Sequence, residues 1–306
     1  MATIPLAERM RPRSIAEILG QEHLLSEGAV LLKAIRSGRL PSMILWGPPG
    51  VGKTTLARVI AGEMGRSFIP LSAINSGVKD IRDAIDQAKK QRYFDRPGPI
   101  LFIDEIHRFS KSQQDSLLGA VEDGTVTLIG ATTENPSFEV ISALLSRSQV
   151  YVLKPLDEET MRKLIARAIS QDEELKKKQI IIEEDNALLQ ITGGDARKLL
   201  SALEIVTSQD EEPIIINDER VKEAIQQNIA FYDKGGDQHY DIISAFIKSI
   251  RGSDPNASIY WLARMLHGGE DIKFIARRMV ILAAEDIGLA NPNAILLAQS
   301  CADAIQ

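Results

Sequence analysis

Cysteine is almost absent from this 306-residue chain, with Cys301 the only one. A single thiol excludes an intrachain disulfide and a cysteine-based zinc cluster, and it suits a reducing compartment, so a cytoplasmic setting is expected. Histidine is scarce as well: His23, His107, His239 and His267 are scattered, with none of the spacings that metal ligands show. Long apolar runs are missing. Nothing approaches the roughly 20 residues of a membrane span, and Met1 to Arg13 mixes charge and proline where a signal peptide would be apolar. A soluble chain without a membrane partner is the expectation. Positive charge is not in excess either: 36 Lys and Arg face 42 Asp and Glu, for a net charge of -6 and a pI near 5.4. That balance argues against non-specific coating of nucleic acid and leaves room only for a local basic groove.

What is present is ordinary globular composition, 44% hydrophobic and 25% charged. At roughly 100 to 200 residues per domain, the length allows two or three units. Up to about Leu153, short apolar runs alternate with amphipathic stretches, the pattern of a parallel sheet with helices on both faces. The expected strands are Ser42 to Trp46, Ser67 to Leu71, Pro99 to Ile103, Val126 to Ala131 and Val150 to Leu153. From Asp157 the spacing turns helical, over Glu158 to Ser170, Asn186 to Ile191, Ala196 to Thr207 and Asp218 to Gln227, with Asp218 as a cap. A linker-like Asp233 to Asp237 precedes four more helical runs, Tyr240 to Arg251, Ala257 to Leu266, Ile272 to Ala284 and Asn293 to Ala302. The expected division is therefore an α/β nucleotide-binding domain over 1–155, a helical lid over 156–232 and an all-helical module over 233–306. The chain stops straight after an apolar helical run with no visible cap, as a product that continues further would. There is no internal repeat.

One motif carries chemistry outright. Gly47-Pro48-Pro49-Gly50-Val51-Gly52-Lys53-Thr54 follows a strand, opens a helix and matches the P-loop at every required position. Its glycines let amide hydrogens turn inward around phosphates, and the helix N-terminus adds positive potential. Lys53 is placed to meet the β and γ phosphates, and the Thr54 hydroxyl to ligate magnesium. Gly47 through Thr55 are thus the candidate ATP-binding residues. The apolar run Ile100 to Ile103 ends in Asp104 and Glu105, two acids that are costly at a strand end unless something positive faces them. Asp104 is then a partner of Mg2+, directly or through a bound water, and Glu105 the carboxylate that polarises the attacking water. Thr132 and Thr133 end the next strand; Thr133 either orients that water or is simply a residue that suits strands.

The order of these segments, with Leu145-Ser146-Arg147-Ser148 and Gly193-Gly194-Asp195-Ala196-Arg197, resembles the clamp-loader branch of the AAA+ ATPases. More narrowly, Ile106 to Phe109, Gly130 to Phe138 and His239 to Asp254 resemble the RarA (MgsA) family, bacterial relatives of the Werner-helicase-interacting proteins. The resemblance covers essentially the whole chain. It implies that Arg9 to Gln21, including Arg11 and Pro12, packs around adenine. It implies that Arg147 is an arginine finger acting on the next subunit's nucleotide and that Arg197 senses the γ phosphate within its own chain. Guanidinium groups suit both roles, because they stabilise charge on the transferring phosphoryl group. The same resemblance implies a homo-oligomer, a tetramer being favoured, that acts at replication forks on DNA with single-stranded regions or ends, beside single-stranded DNA-binding protein. Such proteins usually run well past residue 306, and clamp-loader subunits with a zinc-binding cysteine cluster resemble this chain less.

Several features stay open. Arg82, Lys89, Lys90, Arg92 and Arg96 form either a DNA-facing stripe or a solvated helix face. Asp172 to Lys178 reads as an exposed turn of self-compensating charge. Ile259, Trp261, Leu262, Met265 and Leu266, with Phe274, Ile275, Met279 and Leu282, are core residues or a collar between subunits. Two rival functions stand beside the leading one. A branch-migration motor would share the run Gly130 to Thr133 but needs a winged-helix DNA module, and a nucleotide-gated assembly scaffold would turn over little.

Overall fold

The computed structural model describes residues 4–74, 76–92, 98–208, 213–227, 237–267 and 270–305. It divides into two compact units, Met1–Gln226 and Gln227–Gln306.

In the first unit, β1 (Met43–Trp46), β2 (Phe68–Ser72), β3 (Ile100–Asp104), β4 (Thr127–Thr132) and β5 (Gln149–Val152) form one parallel sheet in the order β2-β3-β4-β1-β5. The period-two alternation of a strand explains the continuous apolar runs, because both faces are covered. Met43, Leu45, Ile100, Phe102 and Ile129 point to one side, where they meet Leu56, Ala57 and Ile60 of helix α1 (Lys53–Glu63) and Leu31 and Ile35. Ile44, Leu101, Ile103 and Leu128 point to the other. There they meet Ile81, Ala84 and Ala88 of α2 (Val78–Arg92) and Leu117 and Ala120 of α3 (Lys111–Glu122). All five expected strands are present, each within one residue of the expected start and end. The α/β class with a parallel sheet covered on both faces holds. Every strand of this sheet ends at the same carboxyl edge, which is where ligands settle in open α/β sheets.

Beyond the sheet lie α4 (Glu158–Gln171), α5 (Asn186–Thr192), α6 (Ala196–Val206) and α7 (Asp218–Gln227). This part is not purely helical. Ile180–Ile182 (β6) and Ile214–Ile216 (β7) form a two-stranded parallel sheet. Each is a run of three isoleucines, whose branched side chains suit a strand, and each is too short for its period to be read. The expected cap is also corrected: the Asn217 side chain accepts the Arg220 N–H at 2.9 Å, while the Asp218 carboxylate accepts the Ala187 N–H of α5 at 2.8 Å.

The chain's start belongs to this core. Leu6, fully buried, and Met10 pack among Leu164, Leu199, Leu203 and Val206. The Leu6 N–H donates to Glu204 at 2.9 Å, and Arg9 pairs with Asp172 at 2.7 Å and with Glu174 and Glu204 at 3.3 and 3.2 Å. The turn from Asp172 is exposed, as expected, at Glu173, Glu174, Lys176 and Lys177, with Lys176 paired to Glu173, but Asp172 and Leu175 are buried. Burial pushes the Asp172 pKa up, but the Arg9 guanidinium and the N–H groups of Leu175 and Glu174 hold it below its ordinary value.

The second unit contains α8 (Asp237–Arg251), α9 (Pro255–His267), α10 (Ile272–Leu282) and α11 (Asn293–Ile305). Pro255 occupies the first helical position, where its missing N–H costs nothing. The Asp254 and Asp271 side chains cap α9 and α10 by accepting from Ala257 and Lys273. Ile243, Phe246, Met265 and Ile275 form the core, with Trp261, Leu262, Phe274 and Met279 packed against it. Ile259, Leu266, Leu289, Leu296 and Leu297 are exposed. The linker Asp233 to Gly236 lies outside the described residues, as does Arg96. Among the described residues, no helix is long and apolar enough to cross a membrane, and no group of His, Cys, Asp and Glu is arranged to hold a metal ion.

Candidate nucleotide-binding site

The loop between β1 and α1 is built around three glycines. A Cβ on Gly47 would lie 2.4 Å from the Leu153 carbonyl oxygen, so only glycine lets the loop pass the chain leaving β5. Gly50 and Gly52 have φ of 69° and 95°, in the left-handed region that glycine alone enters freely. The turn delivers Lys53 as the first residue of α1. Its ammonium is buried, and Nζ donates to the Gly47 carbonyl at 2.7 Å and the Pro48 carbonyl at 2.9 Å.

Burial pushes the Lys53 pKa down, Glu105 and Asp104 draw it back up, and Arg197 adds a further downward push that Asp195 opposes. Those causes also locate the neighbours: Asp104, Glu105, Asp195 and Arg197 all act on one buried cation. A desolvated ammonium among carbonyls and glycines fits an anion with several oxygens.

Asp104 ends β3 in register with Ser72 of β2. Glu105 follows with φ 54°, one of two described non-glycine residues with positive φ. Such a backbone costs on the order of 1 kcal/mol or more and is often found where a side chain must be aimed. The Glu105 carboxylate Oε2 lies 3.4 Å from the Thr133 hydroxyl, which donates to it, and 3.3 Å from His107 Nδ1. His107 Nδ1 is also 2.9 Å from the hydroxyl of fully buried Thr132. From the lid, the Ala196 N–H donates to the Gly50 carbonyl at 3.3 Å, and Asp195 lies so close that a Cβ on Gly50 would meet its Oδ1 at 1.8 Å.

The structure thus gathers Lys53, Asp104, Glu105, Thr133 and Arg197, with Thr54 and Thr55, half-exposed, in the first turn of α1. Arg147 is turned elsewhere. It is exposed after Ser142–Leu145, pairs with Glu122 at the end of α3 at 2.6 Å, and donates to the Ala143 carbonyl at 2.8 Å. Arg11 and Pro12 are half-buried, and the Arg11 guanidinium is held by Glu8 at 2.5 Å. Sequence reasoning assigned no site role to His107 or Asp195, and placed Gln21 only as the last residue of the segment expected around adenine. Gln21 is buried and grips the Lys154 backbone through both amide atoms, at 2.8 and 3.1 Å. The signals for these were a histidine two residues after Glu105, an acid two residues before Arg197, and a glutamine beside Gly20; none has a period or spacing of its own.

This loop, with paired acids at the end of β3, one strand beyond β4, and Arg197 from the helical part, defines a P-loop ATPase domain of the AAA class. Family models agree. The ATPase family associated with various cellular activities (AAA) matches residues 43–156, an AAA C-terminal domain matches 176–251, and the MgsA AAA+ ATPase C terminal matches 252–306. Replication-associated recombination protein A of Coxiella burnetii is 48% identical over 301 residues, covering 96% of this chain and 68% of that protein. The protein of the same name from Escherichia coli K12 is 46% identical, covering 96% and 67%. ATPase WRNIP1 of Dictyostelium discoideum is 42% identical, covering 98% and 37%. Among solved structures, the Thermotoga maritima RuvB Holliday junction branch migration motor is similar with a TM-score of 0.59 and 28% identity, over 79% of each chain. The chain belongs to the replication-associated recombination protein A family.

Proposed function

We propose that this chain is an ATPase of replication-associated recombination that cleaves ATP at the Lys53 cradle, on DNA and in a homo-oligomer. The observation that carries the reading is the buried Lys53 ammonium, held by loop carbonyls within electrostatic reach of Asp104 and Glu105. The Thr54 hydroxyl and Asp104 would hold a magnesium ion, which when bound neutralises phosphate charge. The loop Gly47–Thr55, through the backbone N–H groups that Pro48 and Pro49 lack, and Lys53 bind the phosphates, and Arg11 and Pro12 line the adenine side. Glu105 takes a proton from the attacking water, and Thr133, 3.4 Å from it, orients that water. Arg197 stabilises charge on the γ phosphate from within the chain, and Arg147 does so for the neighbouring copy. Division of labour among 1–155, 156–232 and 233–306 follows: chemistry, lid and collar. DNA with single-stranded regions or ends and single-stranded DNA-binding protein are the proposed partners, in a tetramer, in the cytoplasm at the nucleoid.

Steady-state ATP turnover, with and without single-stranded or forked DNA, tests this. Strong stimulation is expected, and Glu105→Gln should retain nucleotide binding while losing about 10²-fold or more in kcat, the usual worth of a general base. Undiminished turnover in that variant rejects the Glu105 assignment. ATP-dependent assembly with negligible turnover favours a scaffold instead. The likeness to RuvB favours a second reading, a branch-migration motor; branch migration of a four-way junction by the chain alone would select it. Within 237–305 the described elements are all helical, which is not the make-up of a winged helix.

A further inference from the structure

We propose that His107 is a positioning residue for Glu105: its Nδ1–H, anchored on Thr132, fixes where the water-polarising carboxylate sits. The inference rests on the ATPase reading and deepens it. A carboxylate only accepts hydrogen bonds, so the ring nitrogen 3.3 Å from Glu105 Oε2 is the one that carries hydrogen. That hydrogen is directed at the Thr132 hydroxyl at 2.9 Å, with Glu105 Oε2 lying beside it at 3.3 Å. The Thr132 oxygen also accepts the Glu134 N–H at 3.0 Å and donates to the Glu134 carbonyl at 3.2 Å, so its one hydrogen is already used and it meets His107 as an acceptor. Both partners of Nδ1 therefore require the same tautomer. The ring is mostly buried, with 13% of its side chain exposed, and its anchor is completely so.

Glu105 needs such a holder. Its φ of 54° aims the side chain but leaves the carboxylate free to turn, and its only other described polar side-chain partner besides His107, the Thr133 hydroxyl, stands at a long 3.4 Å. His107 supplies the second point that fixes a planar group. Through Thr132 it also ties Glu105 to the backbone of Glu134, the first exposed residue after β4. Displacement of that loop by a partner would shift the anchor and with it the carboxylate.

Two substitutions separate donor from bulk. His107→Asn keeps an N–H near the place of Nδ1 but loses the ring, and His107→Phe keeps the ring but loses the donor. A displacement of about 1 Å at a catalytic group can cost on the order of 100-fold, so His107→Phe should lose roughly 10- to 100-fold in kcat. Its affinity for a fluorescent ATP analogue should stay within about twofold of the parent protein, and His107→Asn should hold kcat within about threefold. Thermal unfolding of each variant shows whether it folds, and if His107→Phe does not, the kcat of His107→Asn decides alone. The proposal is overturned if His107→Asn loses as much as Glu105→Gln, or if His107→Phe turns over normally. Equal losses of affinity and kcat in a folded His107→Phe also overturn it. Full turnover in Glu105→Gln, or none in the parent protein, would instead sink the ATPase reading, so the two failures are distinct.

Discussion

Lys53 and Arg147 are assigned to the same kind of phosphate, yet the fold treats them in opposite ways. Lys53 is buried at the start of an 11-residue helix and held by two carbonyls, and burial pushes its pKa down. Arg147 is exposed at the edge-strand end of the sheet and satisfied by Glu122, an acid it meets on the surface. The first is preorganised by its own chain. The second is held by a surface ion pair of small worth and by exposed hydrogen bonds to Ala143 and Ser146 of its own turn, which a phosphate from another molecule could displace. Under the proposed function, a site divided in this way would be complete only when two copies meet.

The contrast can be broken at several points. The largest effect is expected from Arg147→Ala, which should lower turnover about 10³-fold, as loss of an arginine finger does, with nucleotide affinity retained in a binding titration. A parallel loss of affinity would mean that Arg147 serves its own chain. Gly50→Ala should weaken ATP binding by roughly tenfold, because the new Cβ combines a positive φ with collision against Asp195 and drives the lid off the loop. Unchanged affinity would separate the lid from the cradle.

A test of stability rather than turnover sharpens the comparison among the helices after β5, where an ion pair is buried. Arg9→Ala leaves Asp172 uncompensated and should cost about 3 kcal/mol in denaturant unfolding. The sign of the pH dependence follows from the depressed Asp172 pKa: its contribution is present above the unfolded carboxylate range and is lost as pH falls through the folded value. The stability gap between the parent protein and Asp172→Asn should therefore close as pH drops below about 4. A gap that persists there would place the stabilisation in shape alone.

How much of this was readable in the residues follows from range. The five strands of the large sheet were legible because each is an apolar run long enough to cross a covered sheet, and the cradle because its glycines and lysine are contiguous. β6 and β7 were not, since three isoleucines carry no measurable period. Leu6 and Arg9 carry no sign in the sequence of their partners Asp172 and Glu204, more than 160 positions away. Asp172 itself reads as solvated charge because the groups that bury it are distant in the chain. His107 was visible as a residue but not as a contact, because its partner Thr132 lies one strand away and 25 positions on. Arg147 could be singled out only through its likeness to a family pattern, and its pairing with Glu122 carries no sequence signal.

The division of the site is tested most directly by mixing two inactive proteins. Arg147→Ala keeps a whole cradle, and Lys53→Ala keeps a whole finger. Turnover measured across mixing ratios, with assembly followed by light scattering, should rise above that of either variant alone and peak at an intermediate ratio. Co-assembly confirmed by scattering, with no recovery of turnover at any ratio, would contradict the account.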